Sequence, residues 1–381
     1  MTLKAISALR IFDGEKMHYE SALLWQENHI VSIVPENRIP AQAEVIRYPS
    51  STLTPGFIDL QVNGGGGVMF NQQTDVNGIE TICKAHRKHG TAYLLPTLIS
   101  DNQEKIKQAL QASHSALENK IKGVLGVHLE GPWLSPEKKG AHDTAHFYDP
   151  SVDSLQQLPW LTQGKTLVTL APEAVNSEAI HWLSRQGVFV SCGHSNATEQ
   201  QLCDETLSHI DGFTHLYNAM SPLTGREPGV VGTALMTDHA WCSIITDGIH
   251  VAPTSIKLAH RAKPKGKLLI VSDAMGSVGS EDNSFVLNNE IIKVVDNKLT
   301  NSNGSLAGAH IGMDQSVANV IEWGIDEEEA FKMASTYPAH ALRSGSSLGY
   351  LKEGFIASVT ILDEHYHTQA VIVDGQIFKQ T

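Results

Sequence analysis

The sequence predicts a (β/α)8 TIM-like barrel that carries a small β-sandwich domain formed by both chain termini. Three observations lead to this fold class: eight short apolar runs recur along the middle of the chain, amphipathic segments separate most of them, and both ends show alternating apolar and polar residues instead. Alternating β and α units favour a parallel sheet, and eight such units suggest closure into a barrel. We therefore expect a barrel inserted between the two halves of a terminal β domain.

The predicted elements follow in chain order. Alternating segments at 3–12, 21–26 and 29–35 are expected to pair with similar segments at 355–362 and 369–378. The barrel strands are predicted at 56–62, 91–98, 123–129, 166–170, 188–191, 212–215, 241–246 and 267–271. Helices are predicted at 75–89, 102–118, 177–186 and 197–207 and, after a hairpin near 284–299, at 312–323 and 326–343. The chain is accordingly divided into a terminal domain, 1–54 plus 346–381, and a barrel, 55–345.

Composition and charge restrict the class of protein. The 381 residues are 41% hydrophobic and 18% charged, which is typical of a soluble globular chain. No apolar run approaches the ~18 residues that a membrane helix needs, and Lys4, Arg10 and Asp13 interrupt the N-terminal apolar positions, so we expect a cytoplasmic protein. A net charge of -13 disfavours binding to nucleic acid or anionic membranes. The four cysteines form no CxxC pair, which argues against a disulfide framework.

Polar side chains stand at the ends of seven of the eight predicted strands. In a (β/α)8 barrel the reactive groups come from the carboxyl ends of the strands. Taken singly, each such residue is more often a turn former or a helix cap. Taken together, they predict a site at one rim of the barrel, and they are Asp59, Gln61, Asn63, Glu130, Glu173, His194, His215, Asp247, His250 and Asp273.

One carboxylate and two imidazoles in this set suggest a metal centre. Glu130, His194 and His215 are ligand types of catalytic zinc sites that keep one position for water. A divalent cation there would lower the pKa of its water to about 7 and polarise a carbonyl, which suits hydrolysis of an amide. Asp273 could take a proton from that water and pass it to the departing amine. Arg226 is a candidate for binding an anion, because its guanidinium matches phosphate geometry.

Six ordered segments resemble the signature blocks of the N-acetylglucosamine-6-phosphate deacetylases, which belong to the amidohydrolase superfamily. They read VHLEGPWL at 127–134, SCGHSNA at 191–197, THLYNAM at 214–220, GREPG at 225–229, DGIH at 247–250 and SDAM at 272–275. The resemblance implies hydrolysis of the acetamido group of N-acetylglucosamine 6-phosphate to glucosamine 6-phosphate and acetate. Because the blocks occur in the same order as in the family, they are more specific together than any one alone.

The resemblance also implies roles for individual residues. Glu130, His194 and His215 would hold one divalent metal per subunit, with zinc expected first and iron, cobalt or manganese left open. Asp273 would act as general base and then acid, and His142 would orient or polarise the substrate carbonyl. The sugar phosphate would contact Ala141, His142, Asn218, Ala219, Arg226, His250, Leu306, Ala307 and Gly308. In the family this Arg can come from a neighbouring subunit, so a homodimer is implied.

Two departures from the family pattern bear on these expectations. Gln61 and Asn63, possible pocket residues, stand where many amidohydrolases carry His-x-His, and neutral amides are poor replacements for imidazole on a transition metal. We therefore predict one metal ion, not two, and this speaks against a cyclic-amide hydrolase. Gly276-Ser277 after Asp273 departs from the expected small-residue pair and leaves the loop geometry open.

Two alternatives to the main prediction remain at this stage. The first is a deacetylase of an epimeric N-acetylhexosamine 6-phosphate, since the motifs do not resolve one hydroxyl contact. The second is a catalytically inactive barrel that binds a sugar phosphate, although no expected ligand or base is missing.

Overall fold

Eight parallel strands form a nearly closed barrel, which confirms the predicted fold class. The computed structural model describes residues 2–282, 284–287, 290–295, 298–300 and 306–380. Neighbours in the barrel sheet follow chain order. The strands are Phe57–Val62, Thr91–Ile99, Gly126–Glu130, Lys165–Leu170, Phe189–Cys192, Gly212–Phe213, Trp241–Ile245 and Leu268–Val271. Each corresponds to one predicted strand.

Two strands, the sixth and the third, are two residues shorter than predicted, and the others differ in length by one residue or not at all. The sixth ends at Phe213 instead of 215, because His215 has a left-handed φ of 36° that no strand accommodates. The third begins at Gly126 instead of 123. At Gly126 a Cβ atom would lie 1.8 Å from the carbonyl oxygen of Lys165, so only glycine lets the neighbouring strand approach.

Helices surround the barrel. Two predicted helices differ in the structure, and three helices were not predicted: Val152–Gln156, Gly229–Met236 and Pro253–Ala262. The predicted helix 197–207 shrinks to Asp204–Leu207, because the side chain of Gln201 accepts a hydrogen bond from the backbone of Thr198 and holds a turn there. The predicted helix 326–343 is interrupted at Ser335, whose φ and ψ are -132° and -69°. The α-helices are Val76–Arg87, Gln103–Glu118, Val152–Gln156, Ser177–Arg185, Asp204–Leu207, Gly229–Met236, Pro253–Ala262, Met313–Glu322, Glu327–Ala334 and Thr336–Ala341. In the described part of the chain, none of them is long and apolar enough to cross a membrane.

Segments from both ends of the chain pair in one seven-stranded sheet. In spatial order its strands are Gln376–Lys379, Thr368–Val373, Val359–Leu362, Glu44–Pro55, Leu3–Phe12, Met17–Gln26 and His29–Pro35. The strand Glu44–Pro55 was not predicted, because Pro49 interrupts its alternation. It joins the two halves, since it pairs with one strand from each end of the chain. The domain boundaries at 54/55 and 345/346 remain a prediction.

A four-stranded antiparallel sheet follows the last barrel strand and extends the predicted hairpin at 284–299. Its strands are Ser284–Leu287, Glu290–Val295, Lys298–Thr300 and Leu306–Ala309. Buried side chains from this sheet, Phe285 and Ile292 among them, pack with Met69, Ile99 and Met275 at the carboxyl end of the barrel. The small sheet therefore forms part of the barrel mouth.

Candidate active site

The candidate metal ligands lie at the carboxyl ends of three barrel strands. Glu130 is the last residue of the third strand, and His194 and His215 each follow the end of their strand by two residues. His215 Nε2 lies 3.0 Å from Glu130 Oε1 and 3.0 Å from His194 Nε2, and His194 Nε2 lies 3.3 Å from Glu130 Oε1. The three side chains thus converge, although the residues are far apart in sequence, as the barrel prediction requires.

Backbone conformation helps to place these side chains. His194 and His215 have φ values of 49° and 36°, and Asp273 has 51°. Non-glycine residues rarely adopt the left-handed region, and such strain persists only where the surrounding structure imposes it. The strain therefore coincides with the positions that carry the candidate chemistry.

The geometry of the three ligands fits a divalent cation. His194 Nδ1 lies 2.8 Å from the carbonyl oxygen of Lys138, so it carries the proton and leaves the Nε2 lone pair free. That lone pair faces His215 Nε2 and a buried carboxylate. Burial alone would raise the pKa of Glu130, but the adjacent imidazoles of His194 and His215 hold it well below its usual range. One carboxylate and two imidazoles within 4.8 Å of one another form a donor set suited to zinc or a similar ion.

Gln61 and Asn63 each hold one carboxylate of the site by a hydrogen bond. Gln61 Nε2 donates to Glu130 Oε1 at 2.8 Å, and Asn63 Nδ2 donates to Asp273 Oδ1 at 2.7 Å. Each amide therefore orients one functional carboxylate. Within the described residues, Gln61 Oε1 and Asn63 Oδ1 are buried and have no hydrogen-bond partner.

Asp273 is a buried carboxyl group and the candidate for proton transfer. Burial raises its pKa to about 6, and the negative charge of Glu130 adds to the shift. A carboxyl group with a pKa near the working pH can both accept and return a proton.

His142 presents a neutral hydrogen-bond donor. Burial lowers its pKa to about 3. Its Nδ1 accepts the backbone N–H of Ser100 at 3.2 Å, so the ring proton is on Nε2. His142 Nε2 lies 3.8 Å from Glu130 Oε2, which places this donor next to the candidate metal ligands.

These groups face one cavity of about 200 Å³. It is lined by Asn63, Ile99, Glu130, Gly140, Ala141, His142, His194, His215, Asn218, Ala219, His250, Asp273, Met275, Leu306 and Gly308. The cavity thus combines three potential metal ligands, a proton-transfer group and a neutral donor within the volume of a small ligand.

Comparison with known proteins identifies the family. The model of the amidohydrolase family matches residues 52–378, nearly the whole chain. The chain belongs to the amidohydrolase family. This family is metal-dependent, which agrees with the converging Glu130, His194 and His215.

Relatives of this amidohydrolase share most of its length. The chain is 39% identical over 337 residues to an N-acetylgalactosamine-6-phosphate deacetylase of Shewanella sp. (strain ANA-3), covering 88% of this chain and 85% of the relative. It is 36% identical over 351 residues to the N-acetylglucosamine-6-phosphate deacetylase of Homo sapiens, covering 86% and 83%. The crystal structure of the N-acetylglucosamine-6-phosphate deacetylase from Pasteurella multocida superposes with a TM-score of 0.91 at 34% identity, covering 99% of this chain and all of that one.

Most of the sequence-predicted contact residues of this amidohydrolase line the cavity, but Arg226 does not. Arg226 lies in an exposed turn outside it, and the side chain of Ala307 lies outside the described part of the structure. No Lys or Arg is among the cavity-lining residues of the described chain. Among the described residues that line the cavity, His250 is the only imidazole besides His142 and the two candidate metal ligands, and Asp247 Oδ2 holds its Nδ1 at 2.6 Å.

Several contributors to the site of this amidohydrolase were not predicted from its sequence, and Gly140 of the cavity lining is one of them. Ile99 and Met275 line the cavity, but an apolar residue at the end of an apolar strand carries no signal that separates it from the core. Glu173 was noted only as a polar strand end. Its carboxylate accepts from Ser195 Oγ at 2.7 Å and from Asn196 N at 2.6 Å, and so anchors the loop that follows His194.

The unusual Gly276-Ser277 pair of the amidohydrolase packs against the barrel mouth. Gly276 N donates to Met69 Sδ at 3.1 Å, and Ser277 Oγ lies 2.9 Å from His310 Nδ1. The pair therefore ties the loop after Asp273 to the segment that follows Leu306–Ala309.

Proposed function

We propose that this amidohydrolase hydrolyses the N-acetyl group of N-acetylglucosamine 6-phosphate to glucosamine 6-phosphate and acetate. The observation that carries the proposal is the convergence of Glu130, His194, His215 and Asp273 on one buried cavity. The name of the human relative and of the Pasteurella multocida structure supplies the substrate.

Glu130, His194 and His215 would hold one divalent cation in this proposal. Zinc is expected first, and iron, cobalt or manganese would suit the same donors. When bound, such an ion polarises a carbonyl group and lowers the pKa of a water molecule. We propose one ion per subunit, because Gln61 and Asn63 direct their N–H groups at Glu130 and Asp273 and offer no imidazole for a second ion.

The protein's own residues then account for the proton movements. His142 Nε2–H, fixed by Ser100, donates to the acetamido carbonyl oxygen and stabilises the charge that develops there. Asp273, held by Asn63, takes one proton from the attacking water. As the C–N bond breaks, Asp273 returns that proton to the departing amine nitrogen, which leaves acetate and a free amino sugar.

The substrate phosphate needs a cation that the cavity lining does not supply. Arg226 is exposed and carries a guanidinium suited to bidentate phosphate binding. We therefore propose a homodimer in which Arg226 of each copy reaches the cavity of the other. Mixing Arg226→Ala and Asp273→Asn subunits should restore activity that neither variant has alone, whereas an Arg226 acting on its own subunit would give no recovery.

An epimeric substrate is the second candidate. The relative that is 39% identical is named N-acetylgalactosamine-6-phosphate deacetylase, and galactosamine differs from glucosamine only at the 4-hydroxyl. The ratio of kcat/KM for the two sugar phosphates decides between them. The cytoplasm remains the expected location, since all four cysteines are free thiols.

The test is acetate release from both sugar phosphates by purified protein whose metal content is measured. Asp273→Asn should lower kcat by about 10²- to 10⁴-fold, since general acid–base catalysis contributes that much. Removing the phosphate from the substrate should raise KM. If metal-loaded protein releases acetate from neither sugar phosphate, the proposed function is wrong and an inactive sugar-phosphate-binding barrel is the better description.

A further inference from the structure

The first and last barrel strands meet without a continuous ladder. They occupy the two ends of the barrel sheet's strand order, and in the described chain an isolated bridge between Val62 and Ala274 joins the segments just at their ends. Asp273 N donates to the carbonyl oxygen of Gln61 at 3.0 Å. One residue earlier, Ser272 N has no backbone acceptor and donates instead to the two carboxyl oxygens of Asp59, at 3.2 and 3.3 Å. A side chain therefore closes this part of the barrel.

Asp59 is an unusual residue for this position. It is fully buried, and none of the described Lys, Arg or His side chains forms an ion pair with it. It also accepts the backbone N–H of Gln61 at 3.2 Å. Burial raises the pKa of Asp59 to about 7, which reflects how unfavourable the site is for a charge. An apolar side chain would avoid that cost, so the carboxyl group calls for a specific explanation.

Asp59 contacts the backbone next to Asp273 and does not contact the cavity. Asp59 does not line the cavity, so it does not touch the substrate. It holds the peptide between Val271 and Ser272, one residue before Asp273, whose φ of 51° must be imposed from outside. On the other side, Ala309 N donates to the carbonyl oxygen of Asp273 at 3.1 Å, and Asn63 fixes its carboxylate. The chain is thus held before, at and after the strained residue.

We propose that Asp59 is a positioning residue that fixes the carboxylate of Asp273 through the backbone of Ser272. The inference rests on the proposed function, in which Asp273 transfers the proton. Without Asp59, Ser272 N loses its acceptor and the strained backbone at Asp273 relaxes. A displacement of about 1 Å at a reacting group can lower a rate about 10²-fold.

Two substitutions of Asp59 distinguish a positioning role from a general effect on stability. In metal-loaded protein, Asp59→Ala should lower kcat about 10²-fold and leave KM within about threefold, because the substrate contacts are intact. Asp59→Asn keeps an oxygen that can accept from both Ser272 N and Gln61 N, so it should restore most of kcat. Metal content and the urea midpoint are measured for both variants.

Asp314→Ala is the matched control. Asp314 is also a buried aspartate, 7% exposed, and accepts from Thr368 Oγ1 at 2.9 Å, outside the catalytic cavity. The substitution Asp314→Ala should lower the free energy of unfolding without lowering kcat. An Asp59→Ala protein that is folded, metal-loaded and fully active would overturn the inference, as would an Asn variant as slow as the Ala variant, or an equal loss of kcat in Asp314→Ala.

Crystal structures make the test independent of the substrate. The Asp273 carboxylate should be displaced by about 0.5 Å or more in Asp59→Ala and should keep its place in Asp59→Asn. If the wild type proves inactive on both sugar phosphates but shows this displacement, the proposed function fails and the positioning role stands. An Asp273 that does not move in Asp59→Ala contradicts the positioning role whatever the substrate.

Discussion

At the scale of single residues, the orientation of Glu130 depends on Gln61. The amide N–H of Gln61 fills one lone pair of the carboxylate that also faces both histidines. Groups that orient a metal ligand commonly contribute tenfold or more to metal affinity.

We expect Gln61→Ala to weaken zinc binding by about 10- to 100-fold, because Glu130 loses its orienting donor. The dissociation constant is measured by competition with a coloured chelator. Gln315→Ala is the control, since the side chain of this exposed glutamine donates to Asn319 Oδ1, away from Glu130. Equal zinc affinity in Gln61→Ala and wild type would show that the hydrogen bond does not support the metal centre.

Candidate site residues were predictable where their side-chain type is unusual for their position. Glu130, His215 and Asp273 could be chosen because a polar residue ending an apolar strand is unusual, and the family resemblance supplied their expected roles. Ile99 could not be chosen in this way, because an apolar residue at the end of a strand can face either the cavity or the core, and the sequence does not show which. The tautomers of His142 and His194 were also beyond sequence, since carbonyl and N–H partners from distant loops set them.

At the scale of elements, side chains on neighbouring strands are complementary in size. Gly212 and Trp241 are register partners on the sixth and seventh barrel strands. A Cβ atom on Gly212 would lie 2.2 Å from two atoms of the Trp241 ring, so the indole occupies the space that any side chain would need.

Gly212→Ala should therefore lower the free energy of unfolding by about 1–3 kcal/mol, because the indole must move within a packed core. Urea denaturation of metal-loaded protein measures the change. Gly225→Ala is the control, since no atom lies within 4 Å of its Cβ position. If both variants unfold at the wild-type midpoint, the contact between Gly212 and Trp241 is not tight.

The elements themselves were largely predictable from periodicity, but their limits were not. Strand Glu44–Pro55 escaped prediction because Pro49 breaks its pattern, yet it lies at the centre of the terminal sheet, paired on both sides. The helix predicted at 326–343 keeps helical periodicity across Ser335, where the backbone nevertheless turns. Such interruptions arise from tertiary packing, which the local sequence pattern does not predict.

At the scale of the whole molecule, the terminal sheet is bonded to the barrel through a turn. Asp374 lies between strands Thr368–Val373 and Gln376–Lys379. Its carboxylate accepts from Tyr93 Oη, on the second barrel strand, and from Lys122 Nζ at 2.8 Å. Burial and the Asp374 charge raise the pKa of Tyr93 well above its usual range, so the phenol stays a donor.

Asp374→Ala should destabilise the protein by about 1–3 kcal/mol, because the buried Tyr93 hydroxyl is left without an acceptor. Asp374→Asn should cost less, since asparagine keeps an oxygen for Tyr93 and tolerates the φ of 47° at this turn. Thermal and urea unfolding measure both. Equal losses in the two variants would mean that the Lys122 ion pair, not the Tyr93 bond, is the important contact.

The strained residues of the site have a consequence for how such a sequence persists. His194, His215 and Asp273 all hold left-handed backbone. Each is therefore a position where glycine or asparagine would relieve conformational energy while removing chemistry. Selection for folding alone would therefore favour replacement of these residues. A library of variants sorted for solubility alone should accordingly drift toward inactive proteins, beginning at these three codons.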